Sequence, residues 1–308
     1  MSEAVIEAVN LTKYYGKSRG IIDLNLKVRE GDIFGFIGPN GAGKSTTIRI
    51  LLGLISATLG SGTVFGRDIV KDKERILEDI GYMPSEAMFY SGMKVWDIIK
   101  FSAELHKKHR AVEDSLREAR DICERLELDT SKKSDELSLG NRKKVSVVCA
   151  MQHKPKLYIL DEPTSGLDPL MQKEFFSLIR ERNKEGATIF LSSHILSEIQ
   201  RYCNYAAIIR EGKIIVRDSV EALSKTSAKR VNLHGNMNDI KGIINHMEGV
   251  KGIQILQDSA AFLFGGDINI LLKELSGIRV SDVSITEPDL DEIFMHYYGS
   301  GVKDNDNI

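Results

Sequence analysis

The sequence predicts an α/β protein built on a parallel sheet, followed by a smaller α+β unit. Three observations carry this. An apolar strand runs into a glycine-rich turn and leaves on a helix in FGFIGPNGAGKSTTIRILLGL, residues 34–54. Two short apolar strands, KLYIL (156–160) and TIFL (188–191), are separated by the helical QKEFFSLIRERNKEG. That βαβ pattern favours parallel pairing, because the crossover returns the chain to the same end of the sheet. After about Ser224 the rhythm restarts on a smaller scale in the order βαββαβ, a ferredoxin-like arrangement.

The elements follow in order. Val5, Glu7 and Val9 alternate as in a strand, LNLKV (Leu24 to Val28) makes a second, and REGD turns the chain into IFGFIG. An antiparallel sheet feeding a buried central strand is expected, then a helix over 44–54. From Val95 to Cys149 the period becomes helical, in VWDIIKFSAELHKKH and in EDSLREARDICERLEL, whose charges are expected to face solvent. AAIIREGKIIV reads as a hairpin turning at Glu211-Gly212. The second unit reads as strand RVNLHG, helix MNDIKGIINHM, strands GIQILQ and AAFLFG, helix NILLKEL, strand RVSDVSI and helix LDEIFMHYY. GSGVKDNDNI reads as a polar tail. The expected domains are 3–223, with a helical part at about 90–150, then 224–299, and a flexible tail at 300–308. No internal repeat or low-complexity tract is visible.

Composition narrows the function classes. At 308 residues the chain can bury two cores. A formal charge of -2 creates no long-range field, so no nucleic-acid partner is expected. Cys123, Cys149 and Cys203 form no C-x-x-C pair, which points to reduced thiols in a cytosolic protein. The start, MSEAVIEAVNLTKYYG, carries glutamates and no apolar core, unlike a signal peptide. No apolar run reaches the roughly 18 to 20 residues of a membrane span, so any tie to a membrane runs through a partner.

Gly38, Pro39, Asn40, Gly41, Ala42, Gly43, Lys44 and Ser45 match G-x-x-x-x-G-K-[ST] in full, between the required strand and helix. Glycines let successive N–H groups turn toward phosphate oxygens, and the helix beginning near Lys44 adds its positive end. Lys44 is placed to reach the β- and γ-phosphates of a nucleotide, and Ser45 to offer its hydroxyl to Mg²⁺. Far downstream, YILDEPTSGLDP puts Asp161 at a strand end, where it can hold Mg²⁺ through water. Glu162 follows as a general base for the attacking water. His194, after the strand TIFLSS, sits where a donor can meet charge developing on the γ-phosphate.

With these residues in place, the chain resembles the nucleotide-binding subunit of ATP-binding cassette (ABC) transporters over residues 3–220. The motifs GPNGAGKST, LSLGN, ILDEP, SGLD and SSH stand in the family's order. The resemblance implies a P-loop NTPase fold: a RecA-like parallel core, an antiparallel β subdomain and a helical subdomain, plus the small C-terminal unit. It implies ATP and Mg²⁺ as ligands, with Thr46 completing the phosphate loop and Tyr15 in KYYG stacking on adenine. Ser138 and Gly140 match the family's LSGGQ signature, while Leu139 and Asn141 depart from it. Asp168 in SGLD matches the loop that links two sites across a dimer, and His194 matches the switch histidine. In IGYMPSEAMFY the family's glutamine is replaced by Ser85 after Pro84. Either Ser85 contacts the metal through water or Glu86 takes over.

The C-terminal unit, ending TEPDLDEIFMHYY, resembles the appended region of ABC-2-type exporter ATPases. The resemblance therefore implies ATP hydrolysis at a dimer interface, with a second copy or a similar ATPase. It implies a separate transmembrane permease, export, and a place on the cytoplasmic face of the membrane. The alternative is a soluble ABC-type ATPase in cofactor assembly or regulation.

Overall fold

The computed structural model describes residues 3–224 and 229–286. The chain divides into two compact units, Met1–Asp218 and Ser219–Ile308. In the first, β1 (Ala4–Tyr15) pairs antiparallel with β2 (Ser18–Arg29). Along β2, Leu24, Leu26 and Val28 are buried and the residues between them are not, as in a sheet with one wet face. Next, β3 (Ile33–Ile37) is buried at all its positions, which is the pattern of a central strand covered on both faces. Phe34 and Phe36 pack on Phe190 with ring centroids 5.8 and 5.5 Å apart.

The phosphate loop leads into α1 (Lys44–Leu51). This helix ends three residues before the expected Leu54. Gly53 takes φ 62, and the Leu54 N–H donates to the Arg49 carbonyl at 2.8 Å, which closes the helix. The chain then forms β4 (Leu59–Val64), β5 (Arg67–Asp68), α2 (Lys73–Glu78) and β6 (Ile80–Met83). Periodicity does not reveal β4, because LGSGTV carries two glycines and no alternation. It completes the antiparallel sheet in the order β2-β1-β4-β5.

The helical segment resolves into α3 (Val95–Leu105), α4 (Val112–Arg125) and α5 (Leu139–Met151). There follow β7 (Leu157–Asp161), α6 (Pro169–Lys184), β8 (Thr188–Ser193), α7 (Leu196–Tyr202), β9 (Tyr205–Arg210) and β10 (Lys213–Ser219). The hairpin between the last two strands turns at Glu211 (φ 50) and Gly212 (φ 78), as the sequence predicts. The six-stranded sheet runs β10-β9-β3-β8-β7-β6. Within it β3 is parallel to β8 and β9, and β7 is parallel to β8 and β6. The loops leaving β3, β8, β7 and β6 therefore share one edge, where parallel sheets hold their ligands.

The second unit contains α8 (Val220–Ser224), β11 (Lys229–Gly235), α9 (Met237–His246), β12 (Val250–Ile255), β13 (Ser259–Phe264), α10 (Ile268–Ser276) and β14 (Val280–Thr286). Its sheet runs β12-β13-β11-β14, all pairs antiparallel. Numbered within the unit that is 2-3-1-4, the ferredoxin-like order. Val231, Leu233, Phe262 and Phe264 from the sheet meet Ile240, Ile244 and Leu271 from the two helices in a core of its own. The expected helix LDEIFMHYY and the polar tail lie outside the described residues.

One feature of the first unit makes its stability depend on pH. His106 and His153 stack with ring centroids 3.7 Å apart, and His109 meets His153 edge-on at 5.8 Å. His109 Nδ1 lies 3.0 Å from the Asp79 carboxylate, and His153 Nε2 donates to the Ile80 carbonyl at 3.2 Å. Burial, helped by His106 and His109, pushes the His153 imidazole down to about 3. The unfolded chain therefore binds a proton here that the folded chain refuses, and stability is lost as pH falls below the ordinary histidine range. Between pH 8 and pH 5 the loss assigned to this group is about 2 kcal/mol. Urea denaturation of the chain and of His153→Phe at both pH values checks it: the variant should lack that part of the pH dependence.

Candidate nucleotide site

The site is a cleft of about 270 Å³ lined by Tyr15, Arg19, Gly20, residues 39–41 and 43–46, Ser85 and Glu162. Its floor is the phosphate loop. Gly43 caps α1 at φ 111 with no side-chain cap, so the first N–H groups of the helix are left to a ligand. A Cβ at Gly43 would stand 2.7 Å from the Ile21 side chain, and one at Gly38 would stand 2.5 Å from the Ile209 carbonyl. Only glycine lets the loop lie this close to its neighbours. Ala42 is buried beneath it.

Lys44 is 6 % exposed. Its Nζ donates to the carbonyls of Gly38 at 2.6 Å and Pro39 at 3.2 Å, and stands 3.1 Å from Glu162 Oε1. His194 Nδ1 donates to the other Glu162 oxygen at 2.6 Å. The Glu162 carboxylate thus bridges the cation of the β3 loop and the histidine that follows β8.

Glu162 reaches this position through an unusual backbone. It takes φ 49, a left-handed conformation that costs a non-glycine residue about 1–2 kcal/mol. Hydrogen bonds hold it there. Its N–H is shared between the Ser192 carbonyl at 3.2 Å and the Ser192 hydroxyl at 3.1 Å, and its carbonyl accepts from Lys143 Nζ at 2.9 Å. Asp161, one residue earlier, is buried and accepts from Ser192 Oγ at 2.6 Å. The parallel register sets Asp161 opposite Ser192. Beside them Ser193 Oγ donates to Glu198 at 3.0 Å. Burial holds the Glu198 carboxyl above the usual carboxylate range, against the hydrogen bonds from Thr164 and Ser193.

Hard oxygen donors suit Mg²⁺; Ser45 lines the cleft, and the buried Asp161 carboxylate, which does not line it, ends β7 one residue before Glu162.

The remaining predicted residues gather elsewhere. Ser138 caps α5, its hydroxyl accepting from Asn141 N–H at 3.3 Å. A Cβ on Gly140 would stand 2.7 Å from the Gly166 carbonyl, so the signature turn packs on the loop between Glu162 and Asp168 of its own chain. Leu139 leans over Gly166 and is 60 % exposed. Asp168 caps α6, accepting from Leu170 and Met171 N–H at 3.1 and 3.0 Å. None of Ser138, Gly140 and Asp168 lines the cleft.

Sequence reasoning passed over Arg19, Ser192 and Lys143. Arg19 lines the cleft and donates to the Glu211 carbonyl at 3.1 Å and its carboxylate at 3.0 Å. The tight turn after Tyr15 brings it beside the tyrosines, since Tyr14 pairs with Arg19. Ser192 carried a signal in SSH, because parallel pairing puts it level with ILDEP.

Residues 21–165 match the model of the ABC transporter family. The chain is 34 % identical over 304 residues to the bacitracin transport ATP-binding protein BcrA of Bacillus licheniformis, covering 96 % of this chain and 98 % of that protein. A solved ATP-binding subunit of an ABC transporter overlays 72 % of this chain and 92 % of its own with TM-score 0.67 and 28 % identity. The dimeric ATP-binding cassette MJ0796, bound to ADP and Pi, overlays 70 % of this chain and 98 % of its own at TM-score 0.64, and at 19 % identity shares the fold.

Proposed function

The chain belongs to the ATP-binding subunits of ABC transporters, and on that premise we propose that it works as a dimer to drive export through a separate membrane permease. It binds and hydrolyses ATP with Mg²⁺ to drive transport; the soluble alternative is not favoured. The observation that carries the catalytic assignment is the Glu162 carboxylate held between Lys44 and His194 at the mouth of adjacent parallel strands.

The proposed residue roles join that geometry to the family resemblance. The phosphate loop from Gly38 to Thr46 cradles the phosphates, and Lys44 turns its ammonium to the β- and γ-oxygens. Ser45 and, through water, Asp161 would hold Mg²⁺, which would supply positive charge against the phosphates. Glu162 takes the proton of the attacking water, and His194, which bonds that carboxylate at 2.6 Å, is the donor that meets charge developing on the γ-phosphate. Tyr15, half exposed at the cleft, offers its ring to adenine. Ser85 lines the same cleft and would meet the metal through water, Glu86 being the alternative. Ser138 and Gly140 of one subunit meet the γ-phosphate bound by the other, and Asp168 lies between the two sites.

The proposed domains are 3–223, 224–299 and the tail 300–308. Among the described residues no helix is long and apolar enough to cross a membrane. The proposed location is the cytoplasmic face, reached through the permease. An apolar surface supports that contact: Met88 is 87 % and Tyr90 72 % exposed, just past Ser85, and Tyr90 meets the half-exposed Phe101 edge-on at 6.4 Å. The bacitracin protein suggests an antibiotic peptide as cargo. The test is co-purification with the membrane subunit. Met88→Glu with Tyr90→Glu should keep the melting temperature and leave the membrane fraction. Undiminished association would refute the docking face.

A further inference from the structure

Helix α5 turns an apolar face inward through Val147, Ala150 and Met151. Lys143 stands on that face one turn before Val147, and it is 1 % exposed. A lysine so placed must hand its protons to fixed acceptors, because water cannot reach it. Its Nζ donates to the Glu162 carbonyl at 2.9 Å and to the Pro84 carbonyl at 3.4 Å. The first acceptor belongs to the residue forced into a left-handed backbone; the second directly precedes Ser85. Asp161, Glu162 and Glu86 are the carboxylates whose field reaches the ammonium. Burial pulls the ammonium below the ordinary lysine range, and those carboxylates oppose that pull.

One ammonium therefore ties three segments: the helix that begins at Ser138, the loop that bears Ser85, and the backbone of the hydrolytic glutamate. A serine hydroxyl is too short to span these segments itself. We propose that Lys143 is a positioning residue for hydrolysis, which fixes the backbone of Glu162 and carries movements of the Ser138 and Ser85 segments to its carboxylate. The inference rests on Glu162 as the base. Its chemistry is that of a donor: any side chain with an N–H of similar reach can serve, and an apolar one cannot.

The experiment measures steady-state ATPase activity and nucleotide binding of the full chain in Lys143→Met, Lys143→Arg, Lys143→Gln, Glu162→Gln and the Glu162→Gln/Lys143→Met pair. Lys143→Met should lower kcat by about 10²-fold with KM for ATP little changed, the signature of a misplaced reacting group. Lys143→Arg or Lys143→Gln should recover most of that loss. In the double variant Lys143→Met should add nothing to Glu162→Gln, since both act through one carboxylate. An unchanged kcat in Lys143→Met, while Glu162→Gln is slow, overturns the proposal alone. So do additive losses in the double variant, or a fall in melting temperature that neither donor variant relieves. A harmless Glu162→Gln removes the premise, and the proposal with it.

Discussion

Glu162→Gln lowers ATP turnover by about 10²- to 10⁴-fold, the usual worth of a general base, and leaves MgATP binding within a few-fold. The amide keeps the size and one oxygen of the carboxylate but cannot take a proton from water. Lys44 and His194, which flank the carboxylate at 3.1 and 2.6 Å, stay in place to meet the phosphates. Binding survives while cleavage stops, so the variant should accumulate as an ATP-loaded dimer. Gel filtration with and without MgATP, together with single-turnover hydrolysis, reads both halves. Turnover within threefold of the parent chain would remove Glu162 from the mechanism; slow turnover with no ATP-dependent dimer would remove the shared-site arrangement.

Lys44→Met should abolish tight nucleotide binding. The parent ammonium is buried against the carbonyls of Gly38 and Pro39 and against Glu162. A thioether leaves both carbonyls without their donor and the Glu162 carboxylate without its cation, and it offers nothing to a phosphate. The lost ammonium–phosphate hydrogen bonds are worth about 1.5–3 kcal/mol each, which corresponds to roughly 10- to 10²-fold in Kd for each. Lys44→Arg should fail as well, because a planar fork does not fit a slot shaped by two carbonyls less than 3.3 Å from a single nitrogen. Titration with a fluorescent ATP analogue checks both, and submicromolar binding by either variant would contradict the role given to this lysine.

What could be read from the chain alone was whatever is local in it. The phosphate loop needs its glycines, lysine and serine within eight consecutive residues, and ILDEP needs a carboxylate pair at a strand end. Neither requires knowledge of a neighbour. The βαβ pattern then placed β7 and β8 side by side, and His194 followed. The antiparallel β4–β5 pair escaped because its strands are short and glycine-rich. Ser192 and Lys143 escaped for another reason. Their roles are made by residues 30 and 19 positions away, and nothing local marks a hydroxyl or an ammonium as the holder of a distant backbone. Lys143 did leave a trace, a cation at a core position of the helical period, which reads as an anomaly rather than as a contact. Leu139 was legible as a departure, but its place over Gly166 was not, since that packing depends on how the α5 cap meets a separate loop.

The left-handed backbone at Glu162 bears on how such proteins diverge after gene duplication. Glycine and asparagine relax that conformation most readily, and neither can serve as the base. A spare copy drifting at this codon therefore gains backbone comfort as it loses both the base and the counter-charge of Lys44. Retention of glutamate against that slope marks a copy whose hydrolysis selection still maintains.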